Sequence, residues 1–213
     1  MKYLFFFLSI FILASCEDNY GDFYGPNGNS IGNNNNGNNN GNNPPYTYPT
    51  TFKIQTWTSE DWDYWEYKIG DTTGTIKTWT SEDWDYWEFH LGSIQGSIKT
   101  WTSEDWDHWE VFVGGTKVLN IQTWTSNDFD YWEITSSSPA FDADVKTWTS
   151  EDFDHWEVFV NGSKKLNIQT WTSNDWDYWE FSGDKNTFTI PQLAAVLFIP
   201  VYTSAIHMQG IDQ

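Results

Sequence analysis

The chain has 213 residues, of which 30 are Asp or Glu and 10 are Lys, with no Arg, so its formal net charge is −20 at pH 7. This charge disfavours nucleic acid as a partner, because neutralising phosphates requires a basic surface. It also disfavours an electrostatic grip on anionic lipid. Cys16 is the single cysteine, so no intrachain disulfide can form. The stability of a folded domain must then come from the aromatic residues, which make up 20% of the chain.

Residues 1–15 have the pattern of a secretory signal peptide. Lys2 precedes an apolar run from Leu4 to Leu13, which is too short to cross a bilayer as a helix. The residues Leu13-Ala14-Ser15-Cys16 resemble the lipobox of bacterial lipoproteins. This resemblance implies cleavage before Cys16 and lipidation of that cysteine. The alternative is an ordinary signal peptide with a cysteine near the cleavage site by chance.

A lipid on Cys16 predicts a membrane as the first partner, since several acyl chains anchor stably where one is marginal. Glu17-Asp18 looks like the acidic flank of lipoproteins exported to the outer surface of some Gram-negative bacteria. The expected location is therefore the outer membrane, facing the cell exterior. Residues 16–48 then form an Asn/Gly-rich tether, predicted to be disordered because the tract 33–43 has no apolar side chain to bury. A flexible chain of roughly 30 residues has a root-mean-square span of about 30 Å.

Residues 49–183 contain six copies of one motif, typified by Thr-Trp-Thr-Ser-Glu-Asp-Trp-Asp-Tyr-Trp-Glu at 78–88. All 16 tryptophans fall inside a copy. A fixed period between about 20 and 50 residues indicates a repeat architecture. The first tryptophans of the copies are Trp57, Trp79, Trp101, Trp124, Trp148 and Trp171.

Each copy predicts a β-hairpin, because apolar residues alternate on either side of an acidic segment and no helical stripe is present. Placing the apolar faces together predicts that Thr80 opposes Trp87 and that Thr78 opposes Phe89. A four-residue loop, Glu82–Asp85, would then join the two arms, and this is a common hairpin length. The predicted fold class is all-β.

Six tandem antiparallel hairpins give about twelve short strands, which should close or stack because an open sheet leaves unpaired edges. The nearly equal repeats favour a curled, barrel-like sheet or a solenoid. A second periodicity, with 101–133 and 148–180 near copies at an offset of 47, supports a threefold β-prism or β-trefoil as the alternative. The last segment, 184–213, includes the apolar run Leu193–Ile199, which is too short to span a membrane. It is expected to form a core-facing cap or plug for the repeat sheet, and the alternative is a tail that docks a partner.

The candidate ligand-binding residues are the first tryptophan of each copy and the tyrosines near it. Exposed aromatic rings flanked by Lys, Gln and Glu form platforms on which sugar rings can stack. The alternative is that these rows are cross-strand packing inside the fold. The candidates are Trp57, Trp79, Trp101, Trp124, Trp148, Trp171, Tyr64, Tyr86, Tyr131 and Tyr178.

Other chemistry receives less support from the sequence. The acidic loops, such as Glu82, Asp83 and Asp85, contain oxygen ligands suited to Ca²⁺, but Asp and Asn also favour turns by bonding backbone N–H groups. His108 and His155 occupy a Tyr position and have no metal-ligand spacing. Six near-identical copies argue against one catalytic centre, so no enzyme activity, catalytic residue, metal or cofactor is predicted.

The sequence therefore predicts a non-catalytic surface lipoprotein that binds glycans through several aromatic sites at once. Many weak equivalent sites gain affinity for a polymer by avidity. Two alternatives remain. One is a structural or adhesive surface protein that contacts other proteins, and the other is a Ca²⁺-dependent binding module.

Overall fold

The computed structural model of the protein describes residues 52–212. The predicted signal peptide, the lipidation site Cys16 and the tether lie outside the described residues, and they stay predictions. The described chain is almost entirely β-structure, followed by one α-helix.

Twelve strands form a closed barrel in which each strand pairs antiparallel with its neighbours in sequence. The first and last strands also pair with each other, with Phe52 opposite Phe181. The strands are β1 Phe52–Thr56, β2 Tyr64–Ile69, β3 Thr72–Thr78, β4 Tyr86–Leu91, β5 Ile94–Thr100, β6 His108–Val113, β7 Thr116–Thr123, β8 Tyr131–Ser137, β9 Ala140–Thr147, β10 His155–Val160, β11 Ser163–Thr170 and β12 Tyr178–Gly183.

The prediction of an all-β fold with six hairpins and twelve strands is confirmed, and of the predicted closures the barrel is the one found. The threefold alternatives do not describe this sheet. Because the strands run up and down in sequence order, the six repeat loops lie together at one end, here called the loop end. The short turns between repeats, such as Gly70–Asp71, lie at the other, the turn end.

The predicted hairpin register is wrong by two residues, although the predicted faces are right. Thr78, not Thr80, lies opposite Trp87, and Ile76 lies opposite Phe89. The loop is seven residues long, 79–85, instead of four. Two consecutive turns build it, with the Asp83 N–H donating to the Thr80 carbonyl and the Tyr86 N–H donating to the Asp83 carbonyl. A shift of two residues keeps every side chain on its own face.

The inner face of the barrel carries the last tryptophan of every repeat, and each of these side chains is buried. Each indole N–H is satisfied by the carbonyl of the residue three positions earlier, as in the 2.9 Å bond from Trp87 Nε1 to Trp84 O. A buried tryptophan normally finds such a partner. The inner row consists of Trp65, Trp87, Trp109, Trp132, Trp156 and Trp179.

The interior is completed by helix α1, Ile190–Ala205, which packs against β4–β8. About eight strands enclose a space that side chains alone can fill, so a barrel of twelve strands needs an additional element inside. The helix is apolar on all sides, as expected of a helix that is buried on all sides. Phe198 packs edge-on against Trp109, with ring centroids 4.9 Å apart. The segment predicted to cap the sheet thus lies inside it.

The start of α1 is marked by Thr189, whose backbone N–H donates to the Gln192 side chain at 2.8 Å. Two short 3₁₀ turns flank the helix, Lys185–Thr187 and His207–Gln209. The stretch Ile190–Gln209 is long and apolar enough to cross a membrane, but 83% of its most apolar window is buried in this structure. Its burial accounts for its composition without a bilayer.

The residues after α1 close the loop end of the barrel. The His207 ring lies 3.9 Å, centroid to centroid, from Phe129. Asp212 Oδ2 accepts a hydrogen bond from the Tyr202 hydroxyl at 2.7 Å and lies 2.9 Å from His207 Nδ1. Burial by itself would raise the pKa of Asp212, but the hydrogen bonds from His207 and Tyr202 outweigh it and hold that pKa below its ordinary value.

We expect the stability contributed by Asp212 to be lost in acid. Folding lowers the pKa of this carboxyl, so its contribution is present above the ordinary Asp pKa of about 3.9 and disappears as the pH falls through the folded value. Urea unfolding of the wild type and Asp212→Asn at a series of pH values checks this. The stability difference between the two proteins should shrink as the pH falls through that window, and a difference independent of pH would contradict the assignment.

Candidate functional site

The last residue of each repeat loop is an aspartate that binds the loop of the next repeat. Asp63 Oδ1 accepts from the Thr78 hydroxyl at 2.8 Å and the Glu82 backbone N–H at 2.9 Å, and its Oδ2 accepts from the Ser81 hydroxyl at 2.6 Å. We call this contact the aspartate bridge. All six repeats make its serine and backbone bonds, through Asp63, Asp85, Asp107, Asp130, Asp154 and Asp177.

The sixth aspartate bridge closes the ring of loops, because Asp177 binds Ser59 and Glu60 of the first repeat at 2.7 and 3.0 Å. In every loop the residue whose N–H is bound has a positive φ, such as 63° at Glu82 and 61° at Asn127. A left-handed conformation costs an L-residue about 1–2 kcal/mol, and less for Asn. The bridge therefore holds a conformation that the loop sequence alone disfavours.

Replacing Asp85 with Ala should lower the free energy of unfolding by about 1–3 kcal/mol, because Thr100, Ser103 and the Glu104 N–H lose their acceptor. Equilibrium urea unfolding measures the loss. The matched control is Asp83→Ala in the same loop.

Asp83 has its pKa raised by burial and by the neighbouring Asp85 carboxylate. The folded state thus disfavours the charged form of Asp83, so removing the charge should not lower the free energy of unfolding, and the change should stay within about 0.5 kcal/mol. Equal losses in the Asp85 and Asp83 variants would show that the aspartate bridge is not what orders the loops.

The first tryptophan of each repeat begins the loop and lies on the outer surface. Its side chain is between 56% and 62% exposed in all six repeats. A single exposed apolar residue needs no explanation, but here the same position is exposed in all six repeats. We call Trp57, Trp79, Trp101, Trp124, Trp148 and Trp171 the outer tryptophan row.

Each member of the outer tryptophan row packs against the aromatic residue seven positions later, which begins the next strand. Trp124 and Tyr131 are nearly parallel, at 6° and 5.3 Å between ring centroids. Trp57 and Tyr64 meet edge to face, at 77°. His108 fills the same position beside Trp101, at 5.3 Å. These contacts orient the indoles while leaving more than half of each one open to solvent.

On the outer face, the structure brings the four predicted tyrosines, Tyr64, Tyr86, Tyr131 and Tyr178, each against the predicted tryptophan of its own repeat. The alternative, that the aromatic rows pack inside the fold, describes the buried inner row, which includes Trp87. Sequence reasoning missed His108 and His155 as partners of outer tryptophans. Their place in the Tyr position of the motif was the signal that could have identified them. The second aromatic position of each loop is half-buried and packs onto the inner row, as Trp84 does on Trp87 at 5.9 Å.

The surroundings of the outer tryptophan row are acidic and rich in hydrogen-bonding groups. Every loop carries two or three carboxyl groups. Burial raises the pKa of Tyr131 to about 12, and the nearby Asp144 carboxylate adds to this effect. Burial and Glu180 also raise the pKa of Tyr178. Both phenols are therefore protonated at neutral pH and able to donate a hydrogen bond.

Within residues 52–212, no three His, Cys, Asp or Glu side chains are grouped so that they could hold a metal ion. The carboxylate of each bridging aspartate is directed at protein donors instead. Asp154, for example, accepts from the Ser173 hydroxyl, the Asn174 N–H and Trp176 Nε1 at 2.6, 2.9 and 2.8 Å. Among the residues that the structure describes, the best candidate site is therefore the outer tryptophan row with the polar side chains around it. Comparisons of the chain with family models, with curated proteins and with solved structures gave no match.

Proposed function

We propose that this protein is a non-catalytic cell-surface module that binds polysaccharide through the outer tryptophan row. The observation that carries the proposal is that six equivalent tryptophans are more than half exposed and are held in place by aromatic partners and aspartate bridges. Large aromatic side chains are usually mostly buried. Keeping six of them exposed in ordered loops supports a surface used for binding.

The face of an indole suits the apolar C–H face of a sugar ring. The hydroxyl groups around the ring find donors and acceptors in neighbouring side chains. Beside Trp79, Tyr86 stacks on the indole and supplies a hydroxyl. Lys77 of β3 and Glu88 of β4 lie opposite each other and supply an ammonium and a carboxylate. Aromatic stacking with peripheral hydrogen bonds therefore supports carbohydrate over a purely apolar ligand.

The spacing of the repeats supports a polymer over a single sugar. Each repeat contributes two strands, so equivalent tryptophans of neighbouring repeats lie about 9–10 Å apart across the strands. A polysaccharide can contact several of them at once. Such multivalent binding can raise the overall affinity by about 10²–10⁴ over one site.

The topology is compatible with display from a membrane. Strand β1 starts at Phe52 at the turn end and runs toward the loop end. The segment that precedes Phe52 therefore joins the barrel at the end opposite the outer tryptophan row.

The proposal is tested by migration of the purified full-length protein, in detergent, through native gels that contain one polysaccharide each. We expect retardation by at least one class of polysaccharide. The retardation should weaken in Trp79→Ala and further in Trp79→Ala with Trp101→Ala. Ser93→Ala, an exposed residue at the turn end, serves as the matched control and should migrate as the wild type does. Unchanged migration across a broad panel, with the protein folded, would contradict the proposal and favour a role in adhesion between proteins.

A further inference from the structure

A groove of about 450 Å³ runs along the outer wall of the barrel over strands β4, β5 and β6. Its walls include Glu88, Lys99 and Phe112, and its base includes Ser97. A second groove of about 270 Å³ shares Glu88 and Gln95 with it and extends the depression over β3. Together they form one long polar channel on a single side of the barrel.

Residue size explains why the wall is open here. Ser97 lies in register between Glu88 on one side and Phe112 on the other, and its small side chain leaves space between them. The Lys99 ammonium lies 4.3 Å from the centre of the Phe112 ring. At the turn end, the groove passes Gly114 and Gly115, and a methyl group added at either glycine would meet nothing within 4 Å.

The groove is continuous with one pair of the outer tryptophan row. Tyr86 lines the groove and stacks on Trp79, with ring centroids 5.4 Å apart and planes inclined by 27°. A chain lying on Trp79 can therefore continue down the barrel wall past Ser97 to the ring of Phe112. Along this path the groove offers an acceptor at Glu88, donors at Lys99 and Ser97, and an amide at Gln95.

The near copy of this face elsewhere in the barrel differs at the groove base. There Asp144 takes the place of Ser97, in register between Glu133 and Phe159. Asp142 takes the place of Gln95, opposite Thr135. The Asp144 carboxylate is close enough to Tyr131 to help raise the pKa of its phenol. Two carboxylates thus stand at the positions that correspond to Ser97 and Gln95.

We propose that the groove around Ser97, together with Trp79 and Tyr86, is the principal glycan site and that it takes an uncharged polysaccharide. This inference rests on the proposed function. The groove pairs aromatic surfaces at both ends with neutral and oppositely charged hydrogen-bonding groups between them, which suits hydroxyl groups. A carboxylated or sulfated polysaccharide is disfavoured, because the chain carries a net charge of −20 and like charges brought together weaken binding.

The experiment measures binding of the full-length protein to a soluble neutral polysaccharide and to a carboxylated one of similar length, by isothermal titration calorimetry. The wild type should bind the neutral polymer and prefer it to the carboxylated one. Ser97→Asp and, separately, Gln95→Asp copy the residues of the other face. Each places a strongly hydrated carboxylate in the groove that must lose water when the polymer binds, and each should weaken binding of the neutral polymer by about tenfold or more. Ser163→Asp adds the same charge at an exposed turn six strands away and should bind as the wild type does.

The outcomes separate this inference from the proposed function. If the wild type binds and loses binding in Trp79→Ala with Trp101→Ala, but is unaffected by both groove variants, the aromatic site stands and the groove assignment is overturned. An equal loss in Ser163→Asp, or a preference for the carboxylated polymer, also overturns it. If the neutral polymer does not bind but another polysaccharide retards the protein in native gels, the groove assignment alone is overturned. If no polysaccharide of the panel binds, both the groove assignment and the proposed function are overturned. The double variant Asp142→Gln with Asp144→Ser gives the other face the residues of the groove. Binding of a second polymer per protein molecule by this variant would support the groove assignment directly.

Discussion

Replacing Trp109 with Ala is expected to lower the free energy of unfolding by about 3–5 kcal/mol, the range for removing a large aromatic from a core. The Trp109 side chain is fully buried. Its ring packs edge-on against Phe198 and Tyr202 of the central helix, with centroids 4.9 and 4.7 Å away. Its indole N–H donates to the Trp106 carbonyl at 3.0 Å. Guanidinium chloride unfolding, followed by circular dichroism, measures the loss.

Trp101→Ala, in the same repeat, is the control with identical chemistry. Trp101 is 61% exposed and packs on His108 alone among aromatic rings. Its removal should lower the free energy of unfolding by no more than about 1 kcal/mol, as expected for one exposed aromatic pair. Similar losses at the two positions would contradict the division of the tryptophans into an inner structural row and an outer row free for binding.

Replacing Phe198 with Ala is expected to cost a comparable amount, about 3–5 kcal/mol. Phe198 lies on the central helix, and its ring contacts Trp87, Trp109 and Tyr202, with centroids 5.6, 4.9 and 5.6 Å away. The cavity left behind lies between the helix and the barrel wall, where neither can collapse freely. We therefore expect a lower melting temperature with retained β-structure.

Met208→Ala provides the comparison for the Phe198 variant. Met208 follows the same helix but is 42% exposed, so its replacement should change the free energy of unfolding by no more than about 0.5 kcal/mol. If Phe198→Ala were equally mild, the helix would not be part of the core, and the barrel would have to be stable without it.

The hairpins and their faces could be predicted from the sequence because strand side chains alternate strictly. Ile76 and Thr78, and then Trp87 and Phe89, lie on the inner face as the alternation requires. The register could not be predicted. The seven-residue loop depends on Glu82 adopting a positive φ of 63° without being glycine, and a bond from Asp63 of the previous repeat holds it there.

The sequence also could not predict which of the two tryptophan faces is buried inside the barrel. Trp79 and Trp87 occur in the same motif on opposite faces, and hydrophobicity alone does not say which face is inside. The answer depends on closure of the barrel around the central helix. The sequence does not predict that helix, because Pro200 lies inside it, where proline usually breaks a helix, and because the run includes Val and Ile, which are weak helix formers.

Acrylamide quenching of tryptophan fluorescence, with and without bound polysaccharide, tests the central claim most directly. The six exposed tryptophans should dominate the quenching of the free protein, since the inner row is buried. A polysaccharide that binds through the outer tryptophan row should protect part of this fluorescence in a saturable manner. Protection should decrease in Trp79→Ala and stay unchanged in Ser93→Ala. Binding that leaves acrylamide quenching unchanged would show that the exposed indoles are not the glycan-binding surface.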